Sequence, residues 1–362
     1  MLAASRLEGV RARLRREQVD ALAVVDVPNV AYITGFEGVF DDEPAHVLLV
    51  TETAATLFTD SRYVSAATAA AEGSACEVRL VTTELIEWVC SAARDAGVKR
   101  LALESSLPYW RFGAFQERFG EQVVPAANWI EALREVKEPA EIERIVAAQE
   151  ITDRAFEHIA GAIRSGASER DVALDLEFFM RRAGSDGVAF APIVASGPNS
   201  ALPHATPSGR VFAHGDFVVL DFGARVDGYC ADMTRTVVIG KASERQREIY
   251  DTVLAANIAG ASAVQAGLPG REIDAVARAV IAERGFGEYF GHGLGHGVGR
   301  EVHELPGVGP RNDAAIPLGS VVTIEPGIYI PGFGGVRIED LAVVEEAGAR
   351  VLTRSTKDLL EL

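Results

Sequence analysis

The segment FVVLDFGARVDGYCADMTRTVVIG, residues 217–240, holds two β-type apolar runs around Asp227-Gly228, a dipeptide that favours a tight turn. Folding the runs back about the Val226–Asp227 bond brings Asp221 and Asp232 near one another across a strand pair. Both aspartates sit among apolar neighbours such as Val219, Leu220, Phe222 and Met233. An unpaired carboxylate is costly to bury, so each needs a cation or must take up a proton. Arg225 and Arg235 are close enough in sequence to be that cation, and a bound metal serves as well. The hairpin alone leaves both readings open.

The chain beyond the hairpin narrows the choice. FGHGLGHGVGREVHELPGVGP (290–310) places His292, His296 and His303 in one glycine-rich, apolar stretch. Glycines there permit close backbone approach, which suits a site better than a solvated face. Any one of these histidines could be a core or turn residue; that reading is weak for all three. VVTIEPGIYI (321–330) and GVRIEDLAVV (335–344) each set an acid in an apolar β-run, Glu325 and Glu339, with Arg337 the obvious structural partner for Glu339 on the same strand face. Together Asp221, Asp232, His296, Glu325 and Glu339 supply four carboxylates and one imidazole. Four carboxylates balance two divalent cations, and hard oxygen donors favour Mn(II)-like over thiophilic ions. Two such ions about 3.5–4 Å apart would deprotonate a bridging water and polarise a carbonyl.

The same motifs resemble, in this order, those of the pita-bread metallopeptidases, most closely the aminopeptidase P/prolidase branch. The resemblance rests on the two aspartates eleven positions apart, GHGLGHGVGREVHE, IEPGIY and VRIED, and covers residues 137–350 closely. PNVAYITGF (28–36) extends it loosely into the first third of the chain. It implies five metal ligands, Asp221, Asp232, His296, Glu325 and Glu339, with Asp232 and Glu339 bridging two divalent ions. Mn(II) is the expected metal, with Co(II) and Zn(II) as alternatives. It also implies substrate and catalytic roles for His204 (in LPHATPS), His292, His303 and Arg337. A hydroxide bridging the ions would attack the carbonyl before proline, Glu325 would shuttle the proton, and His303 would stabilise the oxyanion. The expected substrates are short proline-containing peptides, and the expected assembly is a homodimer.

The rest of the sequence sets the frame. With 362 residues the chain exceeds the size at which one core stops growing, roughly 250–300 residues, so two domains are expected. The first third alternates apolar runs (21–26, 46–51, 77–81, 100–105) with helical stretches (61–73, 83–97) after a helix carrying Leu7, Val10 and Leu14. That order predicts a small α/β domain over residues 1–130. The boundary lies at about 127–137, and residues 131–362 are expected to form an α+β pita-bread domain. Pro139 opens a long helix there, Ser168 with Asp171 caps a second that runs to about Arg182, and two more helices cover 243–266 and 270–284. Net charge is −17, from 35 Lys+Arg against 52 Asp+Glu, which disfavours nucleic acid and anionic membranes as partners. Three scattered cysteines and the lack of a long apolar run or secretory leader predict a cytoplasmic protein.

Three competing readings carry distinct expectations. Methionine aminopeptidases share the five ligands but usually lack an N-terminal domain of this size. Creatinase-like enzymes need no metal, and a non-catalytic pita-bread module would have lost ligands. Aminopeptidase P and dipeptidase stand at near even weight. The loop EGVFDDEPAH (37–46) bears on that choice: Asp41 and Asp42 suit a substrate ammonium better than a free carboxylate, against the plainer reading of a solvated turn.

Overall fold

A computed structural model describes residues 2–41 and 43–362. They divide into two compact units, one ending at Arg134 and one running from Glu135 to Leu362. The first unit opens with α1 (Leu2–Glu17), whose Leu7, Val10 and Leu14 are buried at the spacing of one helical face. It continues through β1 (Ala21–Val24), α2 (Val27–Thr34), β2 (His46–Thr51), β3 (Ala55–Thr59) and α3 (Val64–Ala70). Then follow β4 (Cys76–Leu80), α4 (Leu85–Asp95), β5 (Leu101–Glu104), α5 (Tyr109–Phe119), β6 (Val123–Ala126) and α6 (Glu131–Arg134).

The strands form one mixed sheet in the order β4-β3-β2-β1-β5-β6. Leu22, Val24, Leu48 and Val50 pack on one face with α1, while Ala21, Ala23, Val47 and Leu49 pack on the other with Val89 and Cys90 of α4. Burial on both faces explains why these strands read as unbroken apolar runs rather than as alternation. Periodicity does not announce α2, because VPNVAYIT is rich in β-branched residues. It is helical because Asp26 accepts from the Asn29 N–H and Pro28 sits in the first turn.

The second unit starts with α7 (Pro139–Ala162) and α8 (Glu169–Arg182), the latter capped by Ser168, whose side chain accepts from Asp171 N. Strands β7 (Gly187–Val188), β8 (Ile193–Ser196), β9 (Phe217–Phe222), β10 (Ala224–Val226), β11 (Tyr229–Cys230) and β12 (Met233–Val238) come next. After α9 (Glu244–Ala263) and α10 (Gly270–Glu283) come β13 (Gly295–Gly297), β14 (Glu304–Val308) and β15 (Val321–Ile324). The last strands are β16 (Gly327–Ile330), β17 (Gly334–Arg337), β18 (Asp340–Glu345) and β19 (Gly348–Val351). Each helix pair covers its own strands. Phe156, Ile159, Leu176 and Met180 of α7 and α8 meet Val194, Leu220 and Val237. Ile249, Val253, Ile273 and Ala277 of α9 and α10 meet Val322, Ile324, Ile338 and Ala342. Helices segregated from strands in this way make an α+β unit, as expected. Among the described residues, no helix is long and apolar enough to cross a membrane.

The central hairpin differs from expectation by one position. Both Asp227 and Gly228 have positive φ, 47° and 77°, so they form the two central turn positions and Val226 pairs with Tyr229. A turn of that kind needs positive φ at both centres, which β-branched Val226 resists. Asp221 therefore lies opposite Thr234 rather than Asp232, which occupies the break between β11 and β12. At that break the strands close in on Gly223, where a Cβ would stand 1.8 Å from the Ala231 carbonyl oxygen. Gly223→Ala should lower stability by about 1–3 kcal/mol, as overpacking does. Gly209→Ala, with nothing within 4 Å of the added carbon, should leave thermal unfolding near the parent's. Equal melting temperatures for the two variants would refute this account of the break.

Candidate metal centre

The four acids and one imidazole singled out in the sequence come together at strand ends of the second unit. Asp221 projects from β9, Asp232 from the break before β12, and His296 from β13. Glu325 follows β15 directly, and Glu339 lies between β17 and β18. All five line one cavity of about 520 Å³, together with His204, His292, His303 and Arg337. One donor atom each from Asp232, His296 and Glu339 lie within 4.8 Å of one another. His296 Nε2 is 3.1 Å from Glu325 Oε1 and 3.7 Å from Asp232 Oδ2.

The glycines of the histidine segment serve proximity, not unusual dihedrals. A Cβ on Gly295 would lie 2.1 Å from Thr323 O, and one on Gly297 would lie 2.2 Å from Leu305 O. This lets β13 press against its neighbours and carry His296 to the acids. His296 N accepts its place from Thr323 as well, donating to Thr323 Oγ1 at 3.0 Å, while that hydroxyl donates to Glu325 Oε1 at 3.1 Å. His296 Nδ1 donates to the Gly297 carbonyl at 3.1 Å, which leaves Nε2 to hydrogen-bond Glu325 while the ring is protonated and to offer a lone pair once it is not.

Charge decides what such a site can do. Burial, then the repulsion of Glu339 and Asp221, pushes Asp232 well above the ordinary aspartate range. Burial and the charges of Glu325 and Asp221 do the same to Glu339. Asp221 is also raised by burial, although Arg337 opposes it. Burial alone would raise Glu325, but the His296 hydrogen bond and charge bring it down to about 2. His296 is correspondingly raised by Glu325 against its own desolvation. Among the described residues, the buried oxygens Asp221 Oδ1 and Glu339 Oε1 have no hydrogen-bond partner. Clustered carboxylates with orphaned oxygens and one imidazole lone pair fit hard divalent cations.

The arginine partners differ from expectation. Arg337 does not pair with Glu339; its Nη2 donates to Asp221 Oδ2 at 2.5 Å and its Nη1 to Tyr329 Oη at 2.7 Å. Adjacent positions on a strand face need not touch when a longer reach finds a better acceptor. Arg235 serves neither hairpin aspartate and instead pairs with Asp340 at 2.9 Å. Arg225 is exposed. Thr234 holds Glu339, donating from Oγ1 to Oε2 at 2.7 Å and accepting from Arg337 Nε at 2.9 Å.

Three residues of this shell, Thr234, Thr323 and Tyr329, were not singled out in the sequence. Each is a hydroxyl on an apolar strand next to a motif residue, a signal too common to stand out. Tyr329 Oη also lies 3.1 Å from His292 Nε2, and His292 Nδ1 bonds the Gly293 carbonyl at 2.8 Å. Burial holds His292 below the ordinary histidine value. Burial and the nearby His296 charge lower His303, whose ring centre stands 4.3 Å from that of His296. Buried Glu169 and half-buried Arg278 also clamp the loops that carry these histidines. Glu169 accepts from Ser196 N and Ser208 N at both ends of the His204 loop. Arg278 donates to the carbonyls of Phe290 and His292. In the acidic loop of the first unit, Asp41 accepts from Tyr63 Oη at 2.6 Å and from Glu43 N at 3.0 Å. Asp42 lies outside the described residues.

Residues 143–346 match the model of metallopeptidase family M24. The chain belongs to metallopeptidase family M24. Residues 6–136 match the creatinase/prolidase N-terminal domain, which places this M24 chain in the prolidase branch. It is 41% identical to the Xaa-Pro dipeptidase from Bacillus anthracis, covering 99% of this chain and 100% of that one with a TM-score of 0.94. It is 38% identical to the X-Pro aminopeptidase from Thermotoga maritima MSB8, covering 97% and 100% with a TM-score of 0.85. A curated Xaa-Pro dipeptidase from Pyrococcus horikoshii is 36% identical over 95% of both chains. The expected pita-bread architecture behind an α/β N-terminal domain therefore holds, and M24 membership implies divalent metal binding.

The raised carboxyls fix the sign of a pH effect in metal-stripped protein. Because Asp232 and Glu339 hold protons more tightly when folded, their stabilising contribution is full below the ordinary values of 3.8 and 4.5. It is lost as pH rises toward their raised folded values. In chelator, Asp232→Asn should gain stability relative to the parent on going from about pH 5 to about pH 8. Parallel melting curves across that range would show that Asp232 keeps no proton in the folded, metal-free chain.

Proposed function

We propose that this chain is an Xaa-Pro dipeptidase, hydrolysing the bond between an N-terminal residue and a following proline with two divalent metal ions. The observation that carries the reading is the convergence of four buried carboxylates and His296 Nε2, two of whose neighbouring oxygens have no partner in the protein. Asp221, Asp232, His296, Glu325 and Glu339 would hold the ions, with Mn(II) the best match to this oxygen-rich set. When bound, such ions supply an activated water and a polarised carbonyl.

The chain's own groups divide the remaining work. Glu325, which lines the cavity beside His296, would accept the proton of the attacking water and deliver it to the departing proline nitrogen. His303 donates a hydrogen bond to the oxyanion that forms as the carbonyl carbon becomes tetrahedral. His204 and His292 flank the proline side, and Tyr329 keeps the His292 ring and Arg337 in register. Phe190, Ala191, Pro192, Ile193 and Val302 wall the cavity with apolar surface that excludes water. The dipeptidase choice is supported by the full-length likeness to proteins of that name. A homodimer is part of this proposal and is checked by solution mass. The reading also gives Asp41 and Asp42 to the substrate's ammonium group.

Four measurements test this. Xaa-Pro dipeptides should be cleaved at least about tenfold faster than Xaa-Pro-Yaa tripeptides by Mn(II)-loaded protein; equal rates would make it an aminopeptidase instead. Chelation should abolish turnover, and full activity in stripped protein would sink the metal reading. His303→Ala should lower kcat by about 10²–10³ with a smaller change in KM; a change in KM alone would assign His303 to binding. Replacing Asp41 and Asp42 by Asn should weaken free-amine peptides by about 1–3 kcal/mol while sparing N-acetylated ones. An unchanged ratio leaves the loop as a turn.

A further inference from the structure

Asn257 of α9 is completely buried. Its Nδ2 donates to the carbonyl oxygens of Ile324 at 2.9 Å and Ile338 at 3.2 Å. Those two residues immediately precede Glu325 and Glu339. The ladder between β15 and β18 ends at the Ile324–Asp340 pair. The same register resumes at Gly327–Arg337, where β16 pairs with β17, so Glu325 and Glu339 lie opposite one another between the two ladders. In that gap Ile338 N donates to Pro326 O at 3.4 Å, and Pro326 has no N–H to donate back to Ile338 O. One side-chain amide thus ties the two strands across the gap between the ladders and supplies the N–H that Pro326 lacks.

The amide is itself held in one orientation. Asn257 Oδ1 accepts from Lys357 Nζ at 2.9 Å, and the same ammonium donates to Asp340 Oδ2 at 2.6 Å. An ammonium can only donate and a carbonyl can only accept, so the oxygen must face Lys357 and the NH₂ must face the strands. Asp340 Oδ1 takes Arg235 Nη2 at 2.9 Å, and Arg235 Nη1 donates to the Glu339 carbonyl at 2.5 Å. Every backbone carbonyl flanking Glu339 on this side is therefore gripped by a buried side chain.

We propose that Asn257 is a positioning residue of the metal centre, whose amide fixes the separation of Glu325 and Glu339 and so the capacity for two ions rather than one. This rests on the two-ion reading above. Carboxylates that share ions must keep their spacing when like charges push them apart, and the amide links the backbone immediately behind both. Loss of such an orienting contact typically weakens metal binding by about 10–100-fold. A residue that served folding alone would leave metal affinity where it was.

The test titrates Mn(II) into chelator-stripped parent and Asn257→Leu protein by calorimetry, with bound metal counted after dialysis. The parent should take up two ions per chain; the variant should keep one, with the second weakened about 10–100-fold. Lys357→Met, which leaves the amide but frees its oxygen, should show the same selective loss to a smaller degree and covers the case in which Asn257→Leu does not fold. Two ions bound with parental affinity in a folded variant would overturn the inference and leave the two-ion reading standing. Fewer than two ions in the parent would overturn both.

Discussion

Four carboxylates share one cavity with Arg337 and four histidines, of which the His296 ring stands 3.1 Å from Glu325, and the second unit is arranged around that shortage of positive charge. Two like charges about 4 Å apart repel by roughly 4 kcal/mol at an effective dielectric near 20. The protein answers only part of this repulsion. Arg337 meets Asp221, His296 meets Glu325, and Asp232 and Glu339 are left raised by burial and by one another. A site left short of positive charge by its own protein is made for cations from outside. The M24 assignment and the orphaned oxygens of Asp221 and Glu339 point the same way.

Such a cluster holds together because the backbone behind it is fixed by buried polar groups rather than by the ligands themselves. Thr234 and Thr323 steer the glutamates, while Glu169 and Arg278 secure the loops that carry His204 and His292. Asn257 and Arg235 do the same for the strand ends. Thr234 and Thr323 donate to Glu339 Oε2 and Glu325 Oε1, whereas Arg278 and Asn257 donate to main-chain carbonyls and Glu169 takes two main-chain N–H groups. The helices of the two halves keep solvent from these contacts, which strengthens them.

Much of this was legible in the sequence because buried charge is rare enough to be conspicuous. Asp221, Glu325 and Glu339 stand out as acids inside apolar β-runs, and the histidines stand out for their glycine-rich setting. The helices at Pro139 and Ser168 were legible through their capping residues. What escaped was pairing. Asp221 faces Thr234 because positive φ at Asp227 and Gly228 moves the turn by one position. Arg337 reaches Asp221 across strands instead of its neighbour Glu339, a choice set by three-dimensional distance. Thr234, Thr323, Tyr329 and Asn257 carry no charge to mark them, so their work appears only when their partners are in view.

The glycines at 295 and 297 leave no space for any side chain, since a Cβ at either would strike neighbouring backbone. The strand that carries His296 is thus closed to variation at these two positions, whatever selection favours there. Phe190, Ile193 and Val302 also line the cavity, and their side chains hold no donor atom of the cluster. Changes of substrate preference can accumulate at those apolar positions through ordinary point mutation, while the two glycines stay frozen. The cavity is evolvable at some positions and fixed at others.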